Sequence, residues 1–326
     1  MASVRDVAAE VVDAALEATV LLSFSNVGYI VRRRVFGWAD PVGRQAVGRS
    51  AIVTGASTGI GLEIARGIAR TGRAVRIVSR DAGSGAAAVA TIQQSTGNRD
   101  ITHHAVDLSS VSATRAFADS LVSSGEAVDI VVHNAGALFR DYQQTAEGVE
   151  ATVALHVLAP FVLTETLVPL LAHSAPACIV TVTSGGMYTQ RLNVDRFDRG
   201  SVGYDGVRAY ALAKRAQVVL TSEWARRHGG AGIAAHCMHP GWVRTAGLAE
   251  ALPGFERWLG PILRSPQQGA DTAVWLATAA GAAPVGRLWL DRHRRTASKV
   301  PLTITRPRDA ERLWEWCLSR TLATAP

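Results

Sequence analysis

The chain has 326 residues, 48% hydrophobic and 19% charged, which supplies a large buried core and excludes wholesale disorder. Its net charge of +7 comes from 34 Lys and Arg against 27 Asp and Glu, with Lys214 and Lys299 the only lysines; the surplus is scattered arginine. Such a surplus weakly suits anionic ligands or membrane surfaces, and no basic block of the kind found in nucleic-acid tails is present. Cys178, Cys237 and Cys317 are odd in number, far apart and without C-x-x-C. That excludes a disulfide framework or a cysteine zinc site and points to a reducing, cytoplasmic setting.

Residues 1–49 form an N-terminal extension. Its longest apolar run, 18–31, is 14 residues between Glu17 and Arg32. A membrane-spanning helix needs about 20. Asp6, Glu10, Asp13 and Glu17 precede the run, unlike the basic start of a signal peptide. Two readings stand. In the favoured one the run packs on the main domain, as apolar stripes usually do. In the other it lies in a membrane interface, with Leu21, Leu22, Phe24, Tyr29 and Ile30 among headgroups and Arg32, Arg33 and Arg34 on anionic lipid.

From residue 50 the chain alternates β-rich runs with helical ones: strand 51–55, helix 62–70, strand 74–79, helix 84–95, strand 101–108, helix 111–122, strand 128–136. This alternation predicts an α/β fold, a doubly wound parallel sheet covered by helices on both faces, over 50–290. Right-handed crossovers place the strands' carboxyl ends along one edge, where loops form a ligand crevice. Residues 291–326 form a C-terminal extension. Its helix, 308–320, carries Leu313, Trp314, Trp316, Cys317 and Leu318 and docks on the sheet or on a second subunit, as in a homo-oligomer.

The first loop at that edge runs Thr54-Gly55-Ala56-Ser57-Thr58-Gly59-Ile60-Gly61 into a helix. Glycines there let backbone approach a pyrophosphate, which free N–H groups and the helix dipole stabilise. Further on come Asn134-Ala135-Gly136, Val182-Thr183-Ser184, Tyr210 four residues before Lys214, and Pro240-Gly241-Trp242-Val243-Arg244-Thr245. These motifs, in this order over about 50–290, resemble the short-chain dehydrogenase/reductase family, and 182–187, 212–225, 238–242 and 264–277 are similar to its retinol-dehydrogenase-like branch.

The resemblance implies a single Rossmann domain and a nicotinamide-dependent oxidoreductase. In that arrangement Gly55, Ser57, Thr58, Gly59, Ile60 and Gly61 cradle the cofactor, Asp107 and Leu108 border its adenine, and Asn134, Ala135 and Gly136 shape the cleft. Pro240, Gly241, Val243 and Thr245 hold the nicotinamide end. Lys214 holds the nicotinamide ribose and Ser184 the substrate oxygen.

Chemistry then assigns roles to particular residues. The position after Val78, acidic where a ribose 2′-hydroxyl is read, is Ser79, followed by Arg80, which can pair with a 2′-phosphate; NADP is therefore expected over NAD. Asp81 is the neighbour that could neutralise Arg80. Tyr210 is the candidate acid, because reduction of a carbonyl leaves charge on oxygen that needs a proton. Lys214, on the same helix face at i+4, supplies a cation that favours phenolate. With Ser184 these are the candidate catalytic residues.

The pattern departs from the family at His156, which stands where the family has a catalytic asparagine, with Pro160 close behind. Histidine there preserves a bent helix and the proton path to the lysine, blocks that path, or adds a titrating group near neutral pH; a satisfied structural histidine is the favoured reading. His133 replaces the first asparagine of N-N-A-G. Residues 185–209, longer than usual between Ser184 and Tyr210, are expected to wall the substrate. His236, Cys237 and His239 lie on a strand whose side chains alternate, so no metal site is expected.

Leu248, Leu252, Phe255, Trp258, Leu259, Ile262 and Leu263 give the covering segment an apolar character, which suits an alcohol or carbonyl on a lipid, isoprenoid, retinoid or steroid skeleton. Arg292, Arg294, Arg295 and Lys299 could meet phosphate groups. The competing readings are an NADP-binding sensor or scaffold with little turnover, and a lipid-surface adaptor using 18–34.

Overall fold

The computed structural model describes residues 4–40, 46, 48–245, 254, 259–278 and 283–322, and the structure below refers to these. Among them eight strands form one sheet in the order β3-β2-β1-β4-β5-β6-β7-β8. They are β1 Ser50–Thr54, β2 Ala74–Ser79, β3 Ile101–Ala105, β4 Ile130–His133, β5 Ala177–Val182, β6 Ile233–Met238, β7 Leu288–Leu290 and β8 His293–Arg295. β1 to β7 run parallel, and β8 turns back antiparallel on β7. Strand order reverses between β1 and β4, the place where doubly wound sheets open a crevice at their carboxyl edge.

Period-two alternation divides the central strands between two cores. Ile52, Val131, Ile179 and Ala235 face one helix layer. It comprises α6 (Val111–Ser124), α8 (Ala159–His173) and α9 (Gly206–His228). Val53, Val132, Val180 and Val182 face the other, built from α4 (Gly59–Ala69), α5 (Ala82–Thr96) and α10 (Pro266–Thr278). Because both faces are covered, β1 and β4 are buried at every position. A short α7 (Ala151–Val153), a π turn (Ala154–Leu158) and α8 run on continuously as Ala151–His173. This stretch is long and apolar enough to cross a membrane, yet 67% of its most apolar window is buried inside the protein, as befits a core helix.

The C-terminal helix α11 (Pro307–Leu322) docks on this chain's own helix layer. Trp314 meets Phe161 of α8 at 5.0 Å and the guanidinium of Arg227 at 4.1 Å, while Leu313 and Cys317 are fully buried. It therefore covers helices and not the sheet itself. Leu318, grouped with the docking residues from sequence, faces outward.

The N-terminal run is not one helix. α1 (Val4–Glu17), α2 (Val20–Phe24) and α3 (Asn26–Val35) are separated at Thr19, whose hydroxyl caps Leu22 N at 3.3 Å, and at extended Ser25. Phe24, Tyr29 and Arg32 turn inward, with Arg32 0% exposed, so these three are corrections to the headgroup reading. Arg32 bonds Asp13 at 2.6 Å and Asp291 at 2.8 Å, and Asp291 also takes Arg264 at 2.6 Å. The phosphate reading of the late basic stretch is corrected similarly. Arg295 pairs with Asp13, Lys299 with Glu17 and Arg292 with Asp271. Arg294 alone of the four is exposed without an ion pair among the described residues.

Candidate active site

The glycine loop leaves β1 at Thr54 with Gly55 at φ +64° and Gly59 at φ +58°, left-handed conformations that favour glycine. α5, α6 and α9 begin with a side chain of Asp81, Ser110 or Asp205 bonded to a first-turn N–H. α4 begins at Thr58 without such a bond, so its first-turn N–H groups are open to an anion. That open terminus, at the β1/β4 reversal, fits a dinucleotide's pyrophosphate.

Asn134 closes the loop from the β4 side, donating to Thr54 O at 2.9 Å and Gly55 O at 3.0 Å. Thr54 Oγ1 accepts from the N–H of Asn134 and Ala135 at 3.0 and 3.1 Å. At the end of β2, Ser79 Oγ is engaged with His103 at 2.9 Å and Asp81 with Ser84 N at 2.6 Å. Arg80 between them is exposed and makes no ion pair among the described residues. Asp107 is exposed and holds Ser109 N at 2.9 Å, whereas Leu108, 6% exposed, is a core side chain.

Ser184 follows β5, and Tyr210 and Lys214 project from α9. The three expected catalytic residues are brought together: Lys214 Nζ lies 5.6 Å from the Tyr210 ring centre, and the Ser184 hydroxyl is near enough to the Tyr210 phenol to act on its acidity. The electrostatics differ from expectation. Burial raises the Tyr210 phenol above its usual 10, only partly offset by Ser184. Lys214 Nζ donates to Val182 O at 3.0 Å and to Gln217 Oε1 at 3.1 Å. Desolvation pushes Lys214 itself down to about 7.

His156 sits in the π turn, 0% exposed, its ring perpendicular to that of Tyr210 with centres 5.3 Å apart. Burial, assisted by the Lys214 charge, lowers it to about 3, so the alternative in which His156 titrates near neutral pH is not met and the ring is neutral there. Nε2 ties the π turn to Ala137 O at 2.9 Å, while Nδ1 has no partner. His133 is likewise buried and satisfied by Thr164 at 2.7 Å.

Beyond β6, Pro240 is buried, and Gly241 takes φ +74°. Val243, 5% exposed, packs toward α10, while the Thr245 methyl comes 3.6 Å from where a Gly59 Cβ would stand, so the two loops meet. Of the apolar covering segment, Leu248, Leu252, Phe255 and Trp258 lie outside the described residues. Leu263 is buried, and Leu259 and Ile262 are partly exposed. Within 185–209, Leu192, Val194 and Phe197 join the core, Phe197 against Trp316 at 5.1 Å, so these side chains are anchors of the segment.

Sequence reasoning missed three residues at this edge. Phe24 of the N-terminal extension packs on His239 at 4.6 Å and Trp242 at 5.9 Å, and its carbonyl accepts from Trp242 N at 2.8 Å. Arg264 bonds Phe24 O at 3.0 Å and Pro240 O at 3.2 Å, fixing that extension to the Pro-Gly loop. Nothing local in sequence marks either. Gln217 was legible in principle, since i+3 from Lys214 places it on the same helix face.

A dinucleotide-type cradle beside a hydroxyl, a phenol and an ammonium defines a class, and comparison with known proteins agrees. A family model described as short chain dehydrogenase matches residues 49–254. The chain belongs to the short-chain dehydrogenase/reductase family and is an oxidoreductase. It is 39% identical over 280 residues to dehydrogenase/reductase SDR family member 12 of Bos taurus, covering 85% of this chain and 87% of that one. It is 32% identical over 301 residues to retinol dehydrogenase 12 of Bos taurus, covering 90% and 94%. A Beutenbergia cavernae structure assigned as an NAD(P) dependent gluconate 5-dehydrogenase, with NADP at low occupancy, superposes with a TM-score of 0.63 at 27% identity, covering 76% and 97%. The family binds nicotinamide dinucleotides.

Proposed function

We propose that this protein interconverts a carbonyl and an alcohol on a hydrophobic small molecule, with NADP as cofactor. The observation that carries the reading is the convergence of Ser184, Tyr210 and Lys214 at the carboxyl edge of the sheet, beside the open N-terminus of α4. When bound, the nicotinamide supplies or accepts the hydride. Tyr210 Oη gives its proton to the substrate oxygen in reduction and takes it back in oxidation, and Ser184 Oγ orients that oxygen. Lys214 offsets the phenolate charge and binds ribose. Ser57, Thr58, Gly59 and Ile60 hold the pyrophosphate, with Asp107 at the adenine and Gly136, Gly241 and Thr245 lining the nicotinamide end.

Preference for NADP rests on Arg80. The neighbouring carboxylate that could neutralise it, Asp81, is occupied as the cap of α5, and no acidic residue stands at the end of β2. A charge-assisted contact to a 2′-phosphate predicts that Arg80→Ala weakens NADPH binding about tenfold or more and leaves NADH binding unchanged. Titration of cofactor fluorescence measures both. An apolar substrate is supported by the retinol dehydrogenase relatives and by the aromatic wall of Phe24 and Trp242.

The test is NADPH oxidation across retinal, long-chain aldehydes and steroid ketones, with wild type and Tyr210→Phe. Turnover abolished by Tyr210→Phe supports the reading; cofactor binding without turnover favours a sensor or scaffold. A lipid-surface role has its own support in Val7, Val11, Val20, Leu21, Leu22, Val27 and Ile30, each at least 40% exposed on the N-terminal helices, with Arg34 exposed beside them. Flotation with anionic liposomes, lost on replacing Leu21, Leu22 and Ile30 by Ser, tests it; equal flotation of the variant removes it.

A further inference from the structure

Lys214 is 3% exposed, and every titratable group facing it is uncharged at neutral pH. Tyr210 on its own helix is raised above 10, His156 on the π turn is held at about 3, and Cys237 on β6 is pushed up to about 12, all chiefly by burial. A buried ammonium without a counter-ion depends on nearby dipoles. Two reach it, the Val182 carbonyl at 3.0 Å and the Gln217 amide oxygen at 3.1 Å.

Gln217 is 1% exposed, and its other end is also committed: Nε2 donates to His156 O at 3.0 Å. The α-helical i+4 donor to that carbonyl is ruled out by the sequence, because residue 160 is proline and has no N–H. The amide can sit only one way round, since an ammonium only donates and a carbonyl only accepts.

We propose that Gln217 is a positioning residue for the Tyr210–Lys214 pair, bridging the ammonium to the His156 carbonyl and thereby keeping Lys214 charged and aimed at the site. The proposal rests on the functional reading of that pair. It also accounts for His156 at the asparagine position: the residue contributes its backbone carbonyl to the bridge and its ring to Ala137.

The test uses the two-lysine composition. Protein labelled with 13Cε-lysine gives two signals, and Lys299→Arg assigns the one from Lys214. In wild type the Lys214 signal titrates near 7. Gln217→Leu, which removes the acceptor, lowers that midpoint by about one unit or more. Gln217→Glu, of nearly equal size, raises it by at least as much. Unchanged midpoints in both variants would overturn the proposal and leave Gln217 a structural tie only. Should Gln217→Leu fail to fold, the Glu variant alone decides, because a carboxylate beside the ammonium must raise its midpoint if the bridge exists. The titration needs no turnover, so an inactive wild type would count against the catalytic reading and not against the bridge. With turnover present, the pH profile of reduction shifts in the same direction as the Lys214 signal.

Discussion

Gly136 shows what a single motif residue does. A Cβ there would stand 2.7 Å from His156 Cε1 and 3.6 Å from Lys214 Nζ, so glycine lets strand β4's loop close over these two side chains. Gly136→Ala is expected to displace the His156 ring and destabilise the fold by about 1–3 kcal/mol, the usual range for overpacking, as chemical denaturation would read. His156, lowered to about 3, adds no inflection to a pH–rate profile between 5.5 and 9. His156→Asn should therefore leave the shape of the profile unchanged; an inflection that vanished in the variant would contradict this. At this scale the motifs were legible because each chemical demand, a tight turn, a phenol, a cation four residues on, maps to one residue type. The Lys214 environment was not, since one acceptor is a β5 carbonyl 32 positions away and the other, Gln217, is held by a carbonyl 61 positions from itself.

Among the elements, the N-terminal helices depend most on charge. Arg32, Asp291 and Arg264 are each at most 1% exposed, and Arg295 pairs with Asp13, whose carboxyl is held at about 2 chiefly by Arg295 and Arg32 against the opposing effect of burial. Asp291 occupies φ +53° in the two-residue turn between β7 and β8, with Arg292 at +56°, as a tight hairpin twisted to match its strands requires. Removing its carboxylate strands two buried guanidinium groups. Asp291→Ala is therefore expected to cost about 3–5 kcal/mol and to speed amide exchange over residues 20–35. Stability equal to wild type would show that the cluster does not hold the extension. Sequence patterning found the apolar stripe at 18–31 but not its division. Breaks at Thr19 and Ser25 rotate Phe24 and Tyr29 inward and leave Leu21 and Ile30 outside, an outcome set by contacts more than two hundred residues distant. The sheet strands were more readable, because burial on both faces demands continuous β-branched runs.

For the whole molecule, acid should be the sensitive direction. Burial lowers His133, His156 and His239 to about 3 and His236 to about 4. An unfolded histidine takes its proton near 6.5, so between roughly pH 4 and 6.5 the unfolded chain binds protons that the folded one does not, and stability falls as pH falls. Each group contributes roughly 1.4 kcal/mol per pH unit in that window. Urea midpoints at pH 7.5, 6.5 and 5.5 should drop progressively, and His236→Gln should flatten the decline by about a quarter. Lys214 works at the other end: held at about 7 against its usual 10.5, it makes stability rise with pH between those values.

Architecture and chemistry meet at one edge of the sheet, where the loops after β1, β2, β4, β5 and β6 converge, and most of that convergence could be read from strand–loop punctuation. What could not be read is the wall contributed by Phe24 and Arg264, which depends on how the chain ends fold back. The central claim is that Tyr210, Ser184 and Lys214 act on a substrate beside bound NADP. It is tested most directly by following deuterium from NADPH labelled at nicotinamide C4 into the carbinol carbon of a hydrophobic aldehyde by mass spectrometry. The account predicts labelled alcohol from wild type and at least about a hundredfold less from Tyr210→Phe. Equal label from both proteins would contradict it.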